Sequence, residues 1–380
     1  MNSRLVAIAA AAIVATAPAA AQVKIGLMVS ATGPTAAIGV PQRNTGEILP
    51  KSVGGLTVEY IQLEDGADST RALQNAKKLI AENVDALIGP STTPAALAML
   101  DAIAEGKVPL LATVGSSNVV EPLDAKRRWV FKTTQNDDLI ASALIRHMRK
   151  NGVRTLGFIG FNDPYGENWF RVLGPMAEKE GIRIVASERY ARTDASVTGQ
   201  SLKLIAAKPD AMFIAAVGGP AVLPQATLRD QGWKGPVYQT HAVATNDFIT
   251  LGKDKVEGTI LAAGPMLVLD DVPDANPTKK VALLYIDAYE KKFGSKPATF
   301  GANVWDGWLL LERAIPVAAR VAKPGTEAFR VALRDALEAS RDVVGTQGVF
   351  TMSAQDHNGM DERARVPVIV RDGRFRMLPD

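Results

Sequence analysis

Hydroxyl side chains placed just after apolar runs are the feature of this 380-residue sequence most able to do chemistry. Ser91, Thr92 and Thr93 follow the apolar run 85–88 and the Gly89-Pro90 break. Gly turns freely and Pro cannot donate to a strand ladder, so the run stops there. Pro94 then opens an Ala/Leu/Met-rich helix that extends to Glu105. Ser or Thr before a first-turn Pro is the expected start of a helix. The carboxyl end of a strand therefore delivers three hydroxyls and free backbone N–H groups to a helix N-terminus, where negative charge is favoured. One hydroxyl is enough for a cap. Three point to a site for something small and anionic.

Two more loops have the same make-up. The strand expected over 23–30 runs into Ala31-Thr32-Gly33-Pro34-Thr35, and the apolar strand 108–114 ends in Gly115-Ser116-Ser117. Between them, a strand over 57–63 precedes a helix over 69–82 that puts Leu73, Ala76, Leu79 and Ile80 on one face. Strand, hydroxyl-rich loop and helix thus recur, which predicts a parallel sheet covered by helices on both faces. In such sheets ligands bind beyond the carboxyl ends of the strands, and all three loops emerge on that edge.

A further strand over 129–134 leads into a helix from Asp137 or Asp138 to Lys150, where a second alternating series begins. Its strands are expected at 155–160, 182–187, 210–217 and 236–240, with helices at 165–180, 198–207 and 221–231 between them. Three helices follow, over 278–293, 303–321 and 327–340, then a short strand at 348–350 and a hairpin over 366–377 turning at Asp372-Gly373. The fold class is α/β, with two doubly wound lobes flanking a central cleft. Lobe 1 is expected over 22–135 and 264–347, and lobe 2 over 136–263 and 348–380. Three short crossings, near 133–136, 262–265 and 347–350, form the hinge.

Bulk properties narrow the function. Met1 to Arg4, the apolar stretch 5–16 and Ala19-Ala20-Ala21 read as a secretory signal peptide over 1–21, cleaved after Ala21. The mature chain is expected to be exported. Cys is absent, so stability must come from large buried cores. The formal charge is +3, or +2 without Arg4, and it is well mixed, so no nucleic-acid partner is indicated. No Gly-x-Gly, Gly-x-Ser-x-Gly or Ser-x-x-Lys occurs, which removes the common nucleotide-binding and serine-hydrolase signatures. His147, His241 and His357 lack the neighbours a metal site needs. His147 reads as a partly buried structural residue and His357 as part of a turn. No metal, cofactor or enzymatic activity is implied.

Lys24-Ile25-Gly26-Leu27 with Thr32-Gly33-Pro34, Ile88-Gly89-Pro90, Val130-Phe131-Lys132 and Asn162-Asp163-Pro164-Tyr165-Gly166 occur in a characteristic order. The stretch 210–219 and Val256-Glu257-Gly258 extend it. With this ordered set the chain resembles the periplasmic solute-binding proteins of branched-chain-amino-acid-type ABC importers (the Leu/Ile/Val-binding family) over nearly all of the mature sequence. The resemblance implies a type I periplasmic binding fold, cleft closure around a ligand and an inner-membrane permease as partner, with the binding protein a monomer. A ligand sensor of the same fold acting on a regulatory partner is the alternative, and a secreted enzyme is the third reading.

The resemblance also suggests contacts. Thr93, with Ser91 and Thr92 beside it, matches the loop that receives a ligand carboxylate. Gly115 and Ser116, adjoined by Ser117, match the second carboxylate loop. Tyr165 matches an aromatic from the second lobe that covers the ligand and can offer its hydroxyl, and Trp169 lies one turn on. One departure stands out. Amino-acid binders place an acid after the strand 236–239 to hold the ammonium, because a buried charge must be paired. Here the loop reads Thr240-His241-Ala242-Val243-Ala244, and Asp247 reads as part of a helix cap. Gly218, at the other second-lobe loop, supplies backbone where some relatives place an aromatic. A small carboxylate without an ammonium is therefore expected, an aromatic or keto acid, with His241 at its far end. Arg43 and Arg71 follow first-lobe elements and are weaker candidates.

Overall fold

The computed structural model describes residues 22–378. The signal peptide expected over 1–21 lies outside them. The chain runs β1 (Gln22–Val29), α1 (Ala36–Gly46), β2 (Ser52–Val53), β3 (Leu56–Glu64), α2 (Ser69–Ala81), β4 (Ala86–Ile88), α3 (Thr93–Gly106), β5 (Leu110–Ala112) and β6 (Val130–Lys132). After the first crossing come α4 (Asp137–Lys150), β7 (Thr155–Phe161), α5 (Pro164–Lys179), β8 (Arg183–Tyr190), α6 (Thr198–Ala206), β9 (Ala211–Ala215), α7 (Val222–Asp230), β10 (Val237–Gln239), α8 (Asn246–Gly252) and β11 (Thr259–Ala263). The remainder is α9 (Pro277–Phe293), α10 (Thr299–Ala319), α11 (Glu327–Glu338), β12 (Val343–Val344), β13 (Val349–Phe350), β14 (Val366–Arg371) and β15 (Arg374–Met377).

The first lobe holds a sheet of order β2-β3-β1-β4-β5-β6, parallel apart from the β2 edge. Alternation along each strand decides which helices cover it. Ala86, Ile88, Leu111 and Phe131 point to one face, where Trp308, Leu311 and Ile315 of α10 and Phe329 and Leu333 of α11 pack. Leu87, Leu110, Ala112 and Val130 point to the other, against Ala76 and Leu79 of α2 and Ala96 and Met99 of α3. Side chains on successive strand residues face opposite ways, so both faces of a short central strand must be apolar when helices cover both.

The second lobe is a sheet of order β15-β14-β11-β10-β9-β7-β8, parallel from β8 to β11 and closed by the antiparallel β14–β15 hairpin. That hairpin turns at Asp372 and Gly373, both with positive φ. Strand β11 is a difference from the sequence reading, which passes from 261 directly into a crossing. The run Thr259–Ala263 is short and Ala-rich, and its strand character comes from being sandwiched between β10 and β14.

The third crossing also differs. Phe350 and Met352 are buried in the first-lobe core, Phe350 bridges to Met360, and His357 stacks on Phe131 at 4.3 Å. The chain therefore stays with the first lobe to Met360 and crosses over 361–365. The hydrophobic pull of Phe350 and Met352 into the α10–α11 layer explains the later exit. The first two crossings lie at 133–136 and at Gly264. Gly264 is closely hemmed by Gln135 and Gln347, since a Cβ there would lie 2.7 Å from Gln135 Nε2 and 2.0 Å from Gln347 Oε1.

Candidate functional site

The cleft floor is fixed by a hydrogen-bond chain running from β1 to β5. Ser91 Oγ accepts the Ser30 N–H at 2.8 Å and donates to Gln42 Oε1 at 2.5 Å. Gln42 Nε2 donates to Thr113 Oγ1 at 3.0 Å, and Thr113 Oγ1 donates to the Pro90 carbonyl at 2.9 Å. Gly89 sits at φ +119°, with Met28 O only 2.1 Å from where a Cβ would be. No other residue type fits there. This chain consumes the Ser91 hydroxyl. Of the three expected ligand hydroxyls, Ser91 therefore positions the loop, and Thr92 and Thr93 are left with buried Oγ1 atoms that make no protein hydrogen bond. Thr92 is the residue before α3, yet its side chain does not cap the helix.

A cavity of about 30 Å³ separates the lobes at this point. Ser91, Thr92, Thr93, Thr113, Gly115 and Thr134 line it from the first lobe, and Tyr165, Arg192 and His241 from the second. Ile38, Val114, Val217 and Phe300 supply its apolar surface, with Ala242 beside them. Ligand pockets usually offer ~300–1,000 Å³, so an organic acid enters only if the walls move apart. The lobes touch around it. Thr299 Oγ1 donates to the Ala244 carbonyl at 2.8 Å, and Arg171 of α5 donates to Asn118 of the first lobe.

Other expected site residues lie outside that wall. Ser116 is buried with an unpartnered Oγ, and Ser117 begins a short turn whose carbonyl accepts Val120 and Glu121 N–H groups. Gly218, at φ +58°, sits at the seam between lobes near Pro34 and Ala37. Trp169 is fully buried in the second-lobe core, 5.4 Å from Phe213 and 6.1 Å from His241 between ring centres. Arg43 and Arg71 are exposed.

Tyr165 follows the α5 N-cap, Asp163, whose Oδ1 accepts the Tyr165 N–H at 2.9 Å and the Gly166 N–H at 3.2 Å. Its hydroxyl donates to Thr240 Oγ1 at 2.8 Å. The ring faces the cavity, while the hydroxyl proton is already committed within the second lobe. His241 is buried, and its Nδ1 makes no protein hydrogen bond. Burial, with the Lys132 charge adding to it, pushes its imidazole down to about 3. It is neutral at physiological pH. A Cβ on Gly115 would lie 2.5 Å from His241 Nε2, so the absence of a side chain there lets the two lobes meet. Asp247 is exposed beyond Thr245, which is the true cap of α8.

Behind Gly115 lies a pair the sequence reading missed. Lys132 is fully buried, and its Nζ donates to the Gly115 carbonyl and to Asn136 Oδ1, both at 2.5 Å. Asp137, also fully buried, accepts from Asn168 Nδ2 at 2.6 Å. Burial pushes the Asp137 carboxyl up and the Lys132 ammonium down, and each is held back by the other's charge. A strand-end Lys followed five residues later by a helix-opening Asp is a weak sequence signal, since exposed ends of elements look the same. Among the described residues, no cluster of His, Asp and Glu side chains comes together as metal ligands would.

Two α/β lobes joined by three crossings, with hydroxyls and a neutral imidazole facing one another across the gap, define a hinged receptor for a small solute. A family model described as periplasmic binding protein matches residues 22–373. The chain belongs to that family, and its fold is the type I periplasmic binding fold of the Leu/Ile/Val-binding group. An extracellular ligand-binding receptor from Rhodopseudomonas palustris HaA2 superposes with a TM-score of 0.92 at 47% identity, covering 94% of this chain and 100% of that one. A solute-binding protein of an R. palustris ABC transporter, solved in complex with benzoate, shares the fold at a TM-score of 0.79 and 20% identity, over 94% and 95% of the two chains. The Leu/Ile/Val-binding protein BraC3 of Rhizobium johnstonii is 22% identical over 249 residues, 63% of this chain and 67% of that protein.

Proposed function

We propose that this extracytoplasmic receptor of ABC-transporter type captures a small organic acid lacking an ammonium group and hands it, as a monomer, to an inner-membrane permease. In this reading it catalyses no reaction. The observation that carries it is the lining of the cavity. Thr92, Thr93 and Thr134 offer buried, unpartnered hydroxyls on one wall, and no Asp or Glu stands on either. A carboxylate accepting from those hydroxyls is satisfied. A buried ammonium would find no carboxylate in that lining to pair with, which is unfavourable. The neutral His241 stands where amino-acid binders of the resembled family carry their acid. The benzoate complex of a distant relative with the same fold adds support for an aromatic acid.

Closure follows from differential affinity, because a ligand touching both walls stabilises the arrangement in which they meet. The test is a thermal-shift and calorimetric series with benzoate, 2-oxo acids, Leu and Val. Carboxylates without an amino group are expected to bind, with Leu and Val weaker by at least tenfold. Tight binding of Leu or Val and none of the simple acids would overturn the reading.

A further inference from the structure

We infer that Arg192 is a second ligand contact, facing the hydroxyl wall across the cavity, and that it selects small dicarboxylates. The inference rests on the carboxylate reading above and deepens it. Arg192 lies just past the carboxyl end of β8, in the cavity wall, with its side chain 18% exposed. Three supports fix it. Its Nε donates to Asp163 Oδ2 at 2.6 Å, its guanidinium carbon sits 4.3 Å from the Phe161 ring centre, and Asp163 is itself locked as the cap of α5. A guanidinium held by its Nε and by an aromatic face keeps its two terminal nitrogens as a planar fork suited to a carboxylate. Those two nitrogens make no hydrogen bond to the described residues, and Nε is the only engaged atom.

Asp163 is the counter-ion of Arg192, but it engages only Nε and leaves the two terminal nitrogens open. One of its oxygens accepts two backbone N–H groups at the start of α5, where the helix already favours negative charge. Arg192 is the only charged side chain in the cavity wall. The two lobes thus bring complementary chemistry to one cavity. Hydroxyls at Thr92, Thr93 and Thr134 accommodate one carboxylate, and the Arg192 fork accommodates another. Ile38, Val114, Val217 and Phe300 line the same cavity and suit a short carbon skeleton. An amine at the far end of a ligand would meet the guanidinium and be repelled.

The experiment is calorimetric titration of the mature protein with matched probes, glutarate against pentanoate and terephthalate against benzoate, for wild type, Arg192→Gln and Arg192→Lys. Wild type is expected to prefer at least one dicarboxylate over its monocarboxylate partner by roughly tenfold or more, the scale of a charge-assisted hydrogen bond. Arg192→Gln is expected to abolish that preference, read as the ratio of dicarboxylate to monocarboxylate affinity within the variant. Arg192→Lys keeps the charge without the fork and should retain part of it. Equal wild-type affinity for both members of each pair, or a preference that survives Arg192→Gln, overturns the assignment even if the variant is less stable. If monocarboxylates bind tightly and dicarboxylates do not, Arg192 is wrong and the carboxylate reading stands. If no carboxylate binds at all, the carboxylate reading itself has failed.

Discussion

On the first-lobe side of the cleft, recognition groups are alcohols on short loops, held by buried hydrogen bonds that reach back to α1 and β6. On the second-lobe side they are larger, a tyrosine ring and a guanidinium held by local partners and an imidazole held by packing alone. Thr92, Thr93 and Thr134 of the first wall have no protein acceptor, which in the proposed reading leaves them for an oxyanion. In the same reading the second wall decides what else the ligand carries, so that anion capture and discrimination fall to different lobes.

The largest effect expected comes from undermining the support of the first wall. Lys132→Met leaves Asp137 buried without its cation and frees the Gly115 carbonyl. The loss of two buried hydrogen bonds and of a charge near Asp137 should lower stability by a few times the ~1 kcal/mol of an ordinary hydrogen bond, read as a lower urea midpoint, and adding Asp137→Asn should recover part of it. Less drastic is removal of the hydroxyls themselves. Thr92→Val with Thr93→Val should weaken carboxylate binding on the order of 100-fold by calorimetry. The melting temperature without ligand should not fall, because the lost hydroxyls were buried and unpartnered. If affinity holds, the first wall is not the anion site.

The seam between the walls can be tested at Gly115. Gly115→Ala places a methyl group against His241, and overpacking of ~1–3 kcal/mol should act on closure rather than folding. Affinity is expected to drop about tenfold with an unchanged melting temperature, and adding His241→Ala should restore it. The smallest effect is that of pH. The imidazole is pushed down to about 3 where the lobes meet, against the 6.5 it has when exposed. A base with a lowered value favours the closed form fully above 6.5, and that advantage fades as pH falls, by at most ~10-fold per unit. Titrations at pH 7.5, 6.5 and 5.5 should show little change over the first step and up to roughly tenfold weakening over the second. His241→Gln should be flat.

Much of this contrast is legible in the sequence on one side and little on the other. The first wall follows from local rules, with apolar runs stopped by Gly-Pro or Gly-Ser and hydroxyls at the starts of helices. That is why Thr92, Thr93 and Gly115 are found in the cavity wall. The role of Ser91 is not local. Its partner Gln42 lies on another element, so the sequence cannot show that its hydroxyl is already used. Arg192 is harder still. It follows β8 among other polar residues, and only packing between Asp163 and Phe161 distinguishes it from a solvated arginine. The missed strand β11 and the misplaced third crossing have the same origin, since both depend on distant neighbours rather than on the composition of the segment.

The late return of Phe350, Met352 and His357 to the first lobe has a consequence for how the molecule assembles. The sheet of that lobe is translated early, yet the layer that seals one of its faces arrives only with α10, α11 and the segment after them. The other lobe likewise lacks its edge hairpin until the end of the chain. Neither half is a contiguous module, so truncation before Val366 should leave one lobe with an unprotected sheet edge, and truncation before Phe350 should leave both incomplete. A chain clipped at either point is therefore expected to lose the cleft as a whole and not one wall of it.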